Sequence, residues 1–186
     1  TISPGANDNL TGTYAAVCAL RMLDMAGVDF ENTEVCAMIT DGEEAGLRGC
    51  KSWAKNHYDE YVNSGVETVV LCVDTLTDRE YLRVYNKDMT GTVKNNQQFS
   101  QLVMNASKDA GHDDIELSSV FFGSSDAAAF SQAGITATCL AAMDPRPADY
   151  YHNRRDTADR LVPETIKTGF DVIISTILNF DEKGLN

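Results

Sequence analysis

Short, strand-length apolar runs alternate with stretches of helical period along nearly the whole chain, and this alternation constrains the fold more than any other feature. Residues 10–26 carry apolar side chains at helical spacing (Leu10, Tyr14, Val17, Leu20, Leu23), with Asp8 or Asn9 placed to cap the start and Gly27 to stop the helix. Residues 34–40 (EVCAMIT) read as a strand, and 46–58 as a helix after the turn at Asp41 and Gly42. The run 67–73 (ETVVLCV) is β-branched and nearly unbroken, which predicts a central strand buried on both faces. Beyond it the pattern predicts an edge strand over 81–85, a helix over 97–110, a strand over 115–122, a short helix over 125–133, a strand over 135–142 and a long helix over 163–180, opened by Pro163. Such alternation predicts a three-layer α/β/α sandwich with a mixed, mostly parallel central sheet.

No repeat or Pro/Gly/Ser-rich linker interrupts the 186 residues, so one domain over 1–186 is expected. Acidic residues outnumber basic ones, 28 to 15, and the net charge of −13 argues against nucleic acid or an anionic membrane surface as partner. No apolar run approaches the ~20 residues of a membrane helix. Thr1–Pro4 carry neither a signal peptide nor an initiator Met, and an N-terminal portion is expected to be missing from this chain. Of five cysteines, Cys18, Cys36, Cys72 and Cys139 lie in apolar runs and are expected to be reduced core residues, whereas Cys50 in RGCKSW is expected to be partly exposed. Unpaired thiols favour the cytoplasm, with secretion left open.

In α/β sheets ligands bind beyond the carboxyl ends of strands. The run 35–40 leads into Asp41, Glu43 and Glu44; 69–73 leads into Asp74; 135–143 leads through a loop to His152; and Asp8 stands before the first helix. Convergence there gathers Asp8, Glu43, Glu44, Asp74 and His152 around one cavity. Carboxylates so crowded repel one another, and a divalent cation is the natural counter-charge. Oxygen ligands plus an imidazole suit zinc, and also manganese or cobalt. Adjacent glutamates point in different directions, so one can ligate while the other stays free to take a proton from water.

The segments PGANDNLTG (4–12), ITDGEEAGLRG (39–49), Asp74 after a buried strand, FGSSDAAAFSQAGI (122–135) and YYHNRRDTADRL (150–161) resemble, in order and spacing, the aminopeptidase-Y-like family of co-catalytic di-zinc metallopeptidases, which includes the animal glutaminyl cyclases. The resemblance implies a zinc-exopeptidase-like fold and removal of the N-terminal residue of a peptide with a free N-terminus. It implies that Asp8 bridges two zinc ions, that Glu44 and His152 complete one of them, and that Asp74 serves the other. Glu43 becomes the general base for a water activated by the metal, and Tyr151, less so Tyr150, a hydrogen-bond donor to the developing oxyanion.

The chain departs from that family at two points. A histidine ligand in a His-x-Asp segment upstream of the bridging aspartate has no counterpart in these residues, and His57 and His112 are poor substitutes. One zinc site is therefore expected to be complete, with the second short of a ligand and activity weak or absent. The other departure is Ala127, where many members carry a histidine after the aspartate, which leaves Asp126 a residue behind the ligands or a contact for the substrate amine. Two other functions are compatible with these residues: a glutaminyl-cyclase-like aminoacyltransferase needing one zinc, and a non-catalytic, peptidase-like interaction domain.

Overall fold

The computed structural model describes residues 2–146 and 148–185. Strands β1 (Val69–Asp74), β2 (Leu82–Asp88), β3 (Val93–Lys94), β4 (Leu117–Ser119) and β5 (Thr136–Ala142) form one open mixed sheet. Strand β5 runs between β1, to which it is parallel, and β2, to which it is antiparallel; β2 also pairs parallel with β4 and antiparallel with β3. Helices α1 (Gly12–Met25), α3 (Gln97–Asp109) and α5 (Pro163–Lys183) cover one face, and α2 (Arg48–Tyr61) and α4 (Asp126–Gln132) the other.

The layers follow from the two-residue period of β5. Leu140 and Ala142 point to the side where Phe99, Val103 and Val172 pack, while Ala137, Cys139 and Ala141 meet Ala54, Ala128 and Phe130 on the other. Phe99, Leu82 and Phe130 are fully buried, at about 1.5–3 kcal/mol of hydrophobic stabilisation for each such side chain. Helix starts obey local chemistry: the Asn96 side chain accepts the Phe99 N–H at 2.9 Å, Ser125 accepts the Ala127 N–H, and Pro163 opens α5. Among the described residues no helix is long and apolar enough to cross a membrane.

Five expectations change. The run 67–73 is not central: β1 is an edge strand, paired among the described residues only with β5, and half-buried throughout. Conversely β2, expected at the edge over 81–85, lies in the middle and buries Leu82, Val84 and Asp88. The run 34–40 forms no strand; it lines, together with β1, a cavity of about 760 Å³. That cavity is apolar on both sides, with Trp53 and Phe130 towards one helical layer and Leu20, Ile173 and Phe180 towards the other. Leu10, in the turn before α1, and Tyr14 and Val17 within it are exposed, and the buried stripe is Ala15, Ala19 and Leu23, of which the two alanines share a core cluster with Val172 and Ile173 of α5. Among the cysteines, all free, Cys50 is buried and Cys36 exposed, the reverse of what their neighbours imply; Cys18 and Cys72 are only partly buried, and Cys139 alone of the four expected in the core is fully so.

Candidate metal centre

Asp8 lies in a wide turn over Ala6–Thr11, entered through Gly5 at φ 72° and leaving helical backbone geometry at Asp8 and Asn9. It does not cap α1. Asn9 does, its Oδ1 accepting the Gly12 N–H at 2.9 Å and the Thr75 N–H at 3.2 Å while its Nδ2 donates to the Val73 carbonyl at 2.8 Å. Asn9 thus spans the peptide groups on both sides of Asp74. Its neighbour Asn7 is buried, donates to the Tyr150 hydroxyl and accepts the Thr77 N–H at 3.2 Å. A side chain at Gly12 would put Cβ 2.3 Å from the Val73 carbonyl oxygen, so glycine is required where the turn meets β1.

The two glutamates sit on a turn that closes on the start of α2. Gly42 is at φ 64°, the Arg48 N–H donates to the Gly42 carbonyl, and the Gly49 N–H donates to the Asp41 carbonyl at 3.0 Å. A Cβ at Gly49 would fall 2.3 Å from that carbonyl oxygen, which explains the glycine. The third contributor, His152, lies in a turn between β5 and α5 with φ 55°, a left-handed conformation uncommon for a non-glycine residue. The ring of Tyr151 stacks on the His152 ring, centroids 3.7 Å apart.

These loops bring Asp8, Glu44 and His152 together. His152 Nε2 is 3.1 Å from Asp8 Oδ2 and 2.8 Å from Glu44 Oε1, and the three donor atoms lie within 4.8 Å of one another. Two carboxylates and an imidazole on one small triangle match the ligand types that zinc takes. Asp74 stands at the end of β1 outside this group, half-buried, with its Oδ1 atom buried and lacking a hydrogen-bond partner among the described residues. His57 pairs with Glu60 at 2.9 Å and His112 with Asp171 at 3.3 Å; neither joins the group.

Charge crowding is visible in the proton affinities. Burial, with Glu44 next and then Asp126, pushes the Glu43 carboxyl up to about 7. Burial and the Glu44 charge push Asp8 up to about 6, against the opposing pull of His152. Asp74 is driven well above the carboxylate range by burial, then by Asp8 and Glu43. Tyr151 rises to about 12, first through burial and then through Asp8 and Glu44, and so keeps its proton at neutral pH. The Tyr150 hydroxyl is already engaged with the Asp78 carboxylate and Asn7.

Three residues that position the site carry no signal of their own in the sequence. Asp156, buried, accepts the Asn7 N–H at 2.7 Å and the Asp8 N–H at 3.1 Å. Asp88, also buried, accepts the Ser125 N–H at 2.9 Å and the Ser125 hydroxyl at 2.6 Å, which anchors the start of α4 beneath Asp126. Thr40 donates to Asp126 Oδ2 at 2.9 Å, leaving Oδ1 buried without a partner beside the cavity. Only the polar flanks of Asp8 in PGANDNLTG, set between Gly5 and Gly12, hint at the part played by Asn7 and Asn9.

The chain is 26% identical over 196 residues to aminopeptidase YwaD of Bacillus subtilis, a match covering 94% of this chain and 37% of that protein. Its fold resembles LapB of Legionella pneumophila, with a TM-score of 0.80 at 17% identity over 99% of this chain and 48% of that one. It also resembles BSAP, described as a zinc aminopeptidase from Bacillus subtilis, with a TM-score of 0.68 at 22% identity over 95% and 42% of the two chains. The chain therefore spans less than half the length of each of these proteins. The profile of peptidase family M28 matches residues 1–177, and on that match the chain belongs to peptidase family M28.

Proposed function

We propose that this chain is the catalytic part of a zinc aminopeptidase that hydrolyses the first peptide bond of a substrate with a free N-terminus. The observation that carries the reading is the convergence of Asp8, Glu44 and His152 within 4.8 Å, next to a glutamate, Glu43, whose carboxyl is pushed up to about 7. In this reading Asp8, Glu44 and His152 hold one zinc ion. Zinc there supplies Lewis acidity, lowering the pKa of water and polarising a carbonyl oxygen. Glu43 takes the proton of the attacking water and returns it to the leaving amine, a task suited to a carboxyl poised near neutral pH. Tyr151, protonated at neutral pH, donates to the oxyanion of the tetrahedral intermediate. The unpartnered oxygens of Asp74 and Asp126 beside the cavity can accept hydrogen bonds from a substrate α-amine, which favours cleavage at the amino end.

Asp74 marks a second ion position that these residues alone do not complete. Its Oδ1, without a hydrogen-bond partner among the described residues and lining the same cavity, supports that position. The present chain is accordingly expected to take one zinc and to turn over slowly. A glutaminyl-cyclase-like transfer, in which the substrate's own amine attacks, is favoured by a single three-ligand site. Aminoacyl anilides and Gln-initiated peptides, offered to the zinc-loaded protein, separate the two: release of the aniline supports hydrolysis, and pyroglutamyl product without it supports the cyclase.

A further inference from the structure

Besides the Asn7–Tyr150 contact, the wide turn that carries Asp8 and the loop that carries His152 meet at a buried acid outside the metal-binding triangle. Asp156 is 2% exposed, and no lysine or arginine pairs with it among the described residues. Its carboxylate accepts the backbone N–H groups of Asn7 at 2.7 Å and Asp8 at 3.1 Å, and its own carbonyl accepts the Ala6 N–H at 3.3 Å. Three successive N–H groups of the Asp8 turn therefore point at one residue. On the other side, the Asp156 N–H donates to the Asn153 carbonyl at 3.2 Å, and the Asn153 N–H to the Tyr150 carbonyl at 3.2 Å, so Asp156 and His152 belong to one hydrogen-bonded turn. We infer that Asp156 is the positioning residue that fixes the Asp8 carboxylate relative to the His152 ring for metal binding, through the backbone N–H groups of Asn7 and Asp8.

A negative charge beside a ligand that must itself ionise is a poor choice for a mere loop staple, since it works against the Asp8 charge. A carboxylate is nevertheless the one side chain of this length whose two oxygens both accept. An asparagine would turn an NH₂ group towards one of the two backbone donors and leave that N–H buried without a partner. The requirement is thus for two acceptors 2.7–3.1 Å from two adjacent amides, which sets the orientation of the Asp8 peptide and the direction of its side chain. Hydrogen-bonded supports behind metal ligands act in this way, by fixing ligand orientation without touching the ion.

The inference rests on the zinc reading above, and its test separates the two. Zinc affinity is measured by chelator competition on the folded parent chain, on Asp156→Asn and on Thr11→Val; Thr11 is buried in the same turn but bonds to Asn7 O and the Leu76 N–H rather than to the Asp8 amide. Asp156→Asn is expected to weaken zinc about 10- to 100-fold and to alter the visible absorption of the Co(II)-substituted site, whereas Thr11→Val loses stability to urea with affinity kept within about threefold. Equal affinity and an unchanged Co(II) spectrum in folded Asp156→Asn would overturn the inference. A parent chain that binds no zinc would instead overturn the metal reading. Should Asp156→Asn not fold, amide exchange in the parent decides: zinc is expected to slow the Asn7 and Asp8 amides more than that of Leu10, which bonds to the Gly5 carbonyl, and equal slowing contradicts the role.

Discussion

Glu44 Oε1 lies 2.8 Å from His152 Nε2, while Glu43, the residue beside it in the chain, makes no such contact and carries a carboxyl raised to about 7. Two neighbours of identical chemistry therefore have different environments, because successive side chains on a turning backbone diverge. Glu43→Gln is expected to lower the hydrolysis rate of the zinc-loaded protein by about 10²- to 10⁴-fold while zinc affinity stays nearly unchanged. Glu44→Gln is expected to lose zinc. Equal loss of zinc in both variants, read by chelator competition, contradicts this division of roles.

The crowded acids give the metal-free chain an unusual pH dependence. Asp8 and Glu43 keep protons in the folded state up to about 6 and about 7, whereas their unfolded counterparts release them near pH 4. The folded state thus binds more protons through that window, and stability is greatest at its acid end and falls as pH rises through 6 to 7. Asp114 and Asp149, held below the usual range by Arg79 and Arg160, titrate at lower pH and lie outside the window. Urea unfolding midpoints of metal-free protein are expected to drop between pH 5 and 8, and saturating zinc, which needs ionised ligands, to reverse the trend. A metal-free midpoint that rises with pH contradicts the arrangement.

The clamp around Asp74 has a measurable cost. Asn9→Ala removes the donor to the Val73 carbonyl and the acceptor of the Gly12 and Thr75 N–H groups. Leaving such part-buried groups unpaired is expected to destabilise by about 1–3 kcal/mol and to weaken zinc, since the same turn holds Asp8. Urea unfolding with and without zinc reads both effects; an unchanged midpoint contradicts the clamp.

Gly49→Ala should disturb the glutamate turn, because its Cβ would meet the Asp41 carbonyl oxygen at 2.3 Å and the backbone must give way. A loss of about 0.5–3 kcal/mol is expected, together with weaker zinc through Glu44. Gly65→Ala, at a glycine with open space around it but φ 79°, provides a strained surface control expected to leave zinc affinity intact.

Much of this was legible from local pattern. Helices α3, α4 and α5 fall close to their expected limits because cap residues and period coincide there. Asp8, Glu44 and His152 were legible because acids and an imidazole at element ends have little other reason to gather. What failed is non-local. The strength of 69–73 as a β-sequence says nothing of its partners, and with a cavity beside it β1 is an edge and 34–40 stays unpaired. In α1 the large apolar residues suggested the buried face, yet alanines share a core cluster with residues of α5. Asp156 and Asn9 act on backbone groups far along the chain, a relation no spacing rule encodes.

Calorimetric titration of zinc into the parent chain and into His152→Ala tests the metal centre most directly. One equivalent per chain in the parent, lost in His152→Ala, is the expected result. Absence of binding in the parent, or binding that survives removal of the imidazole, would contradict the assignment of Asp8, Glu44 and His152 as its ligands.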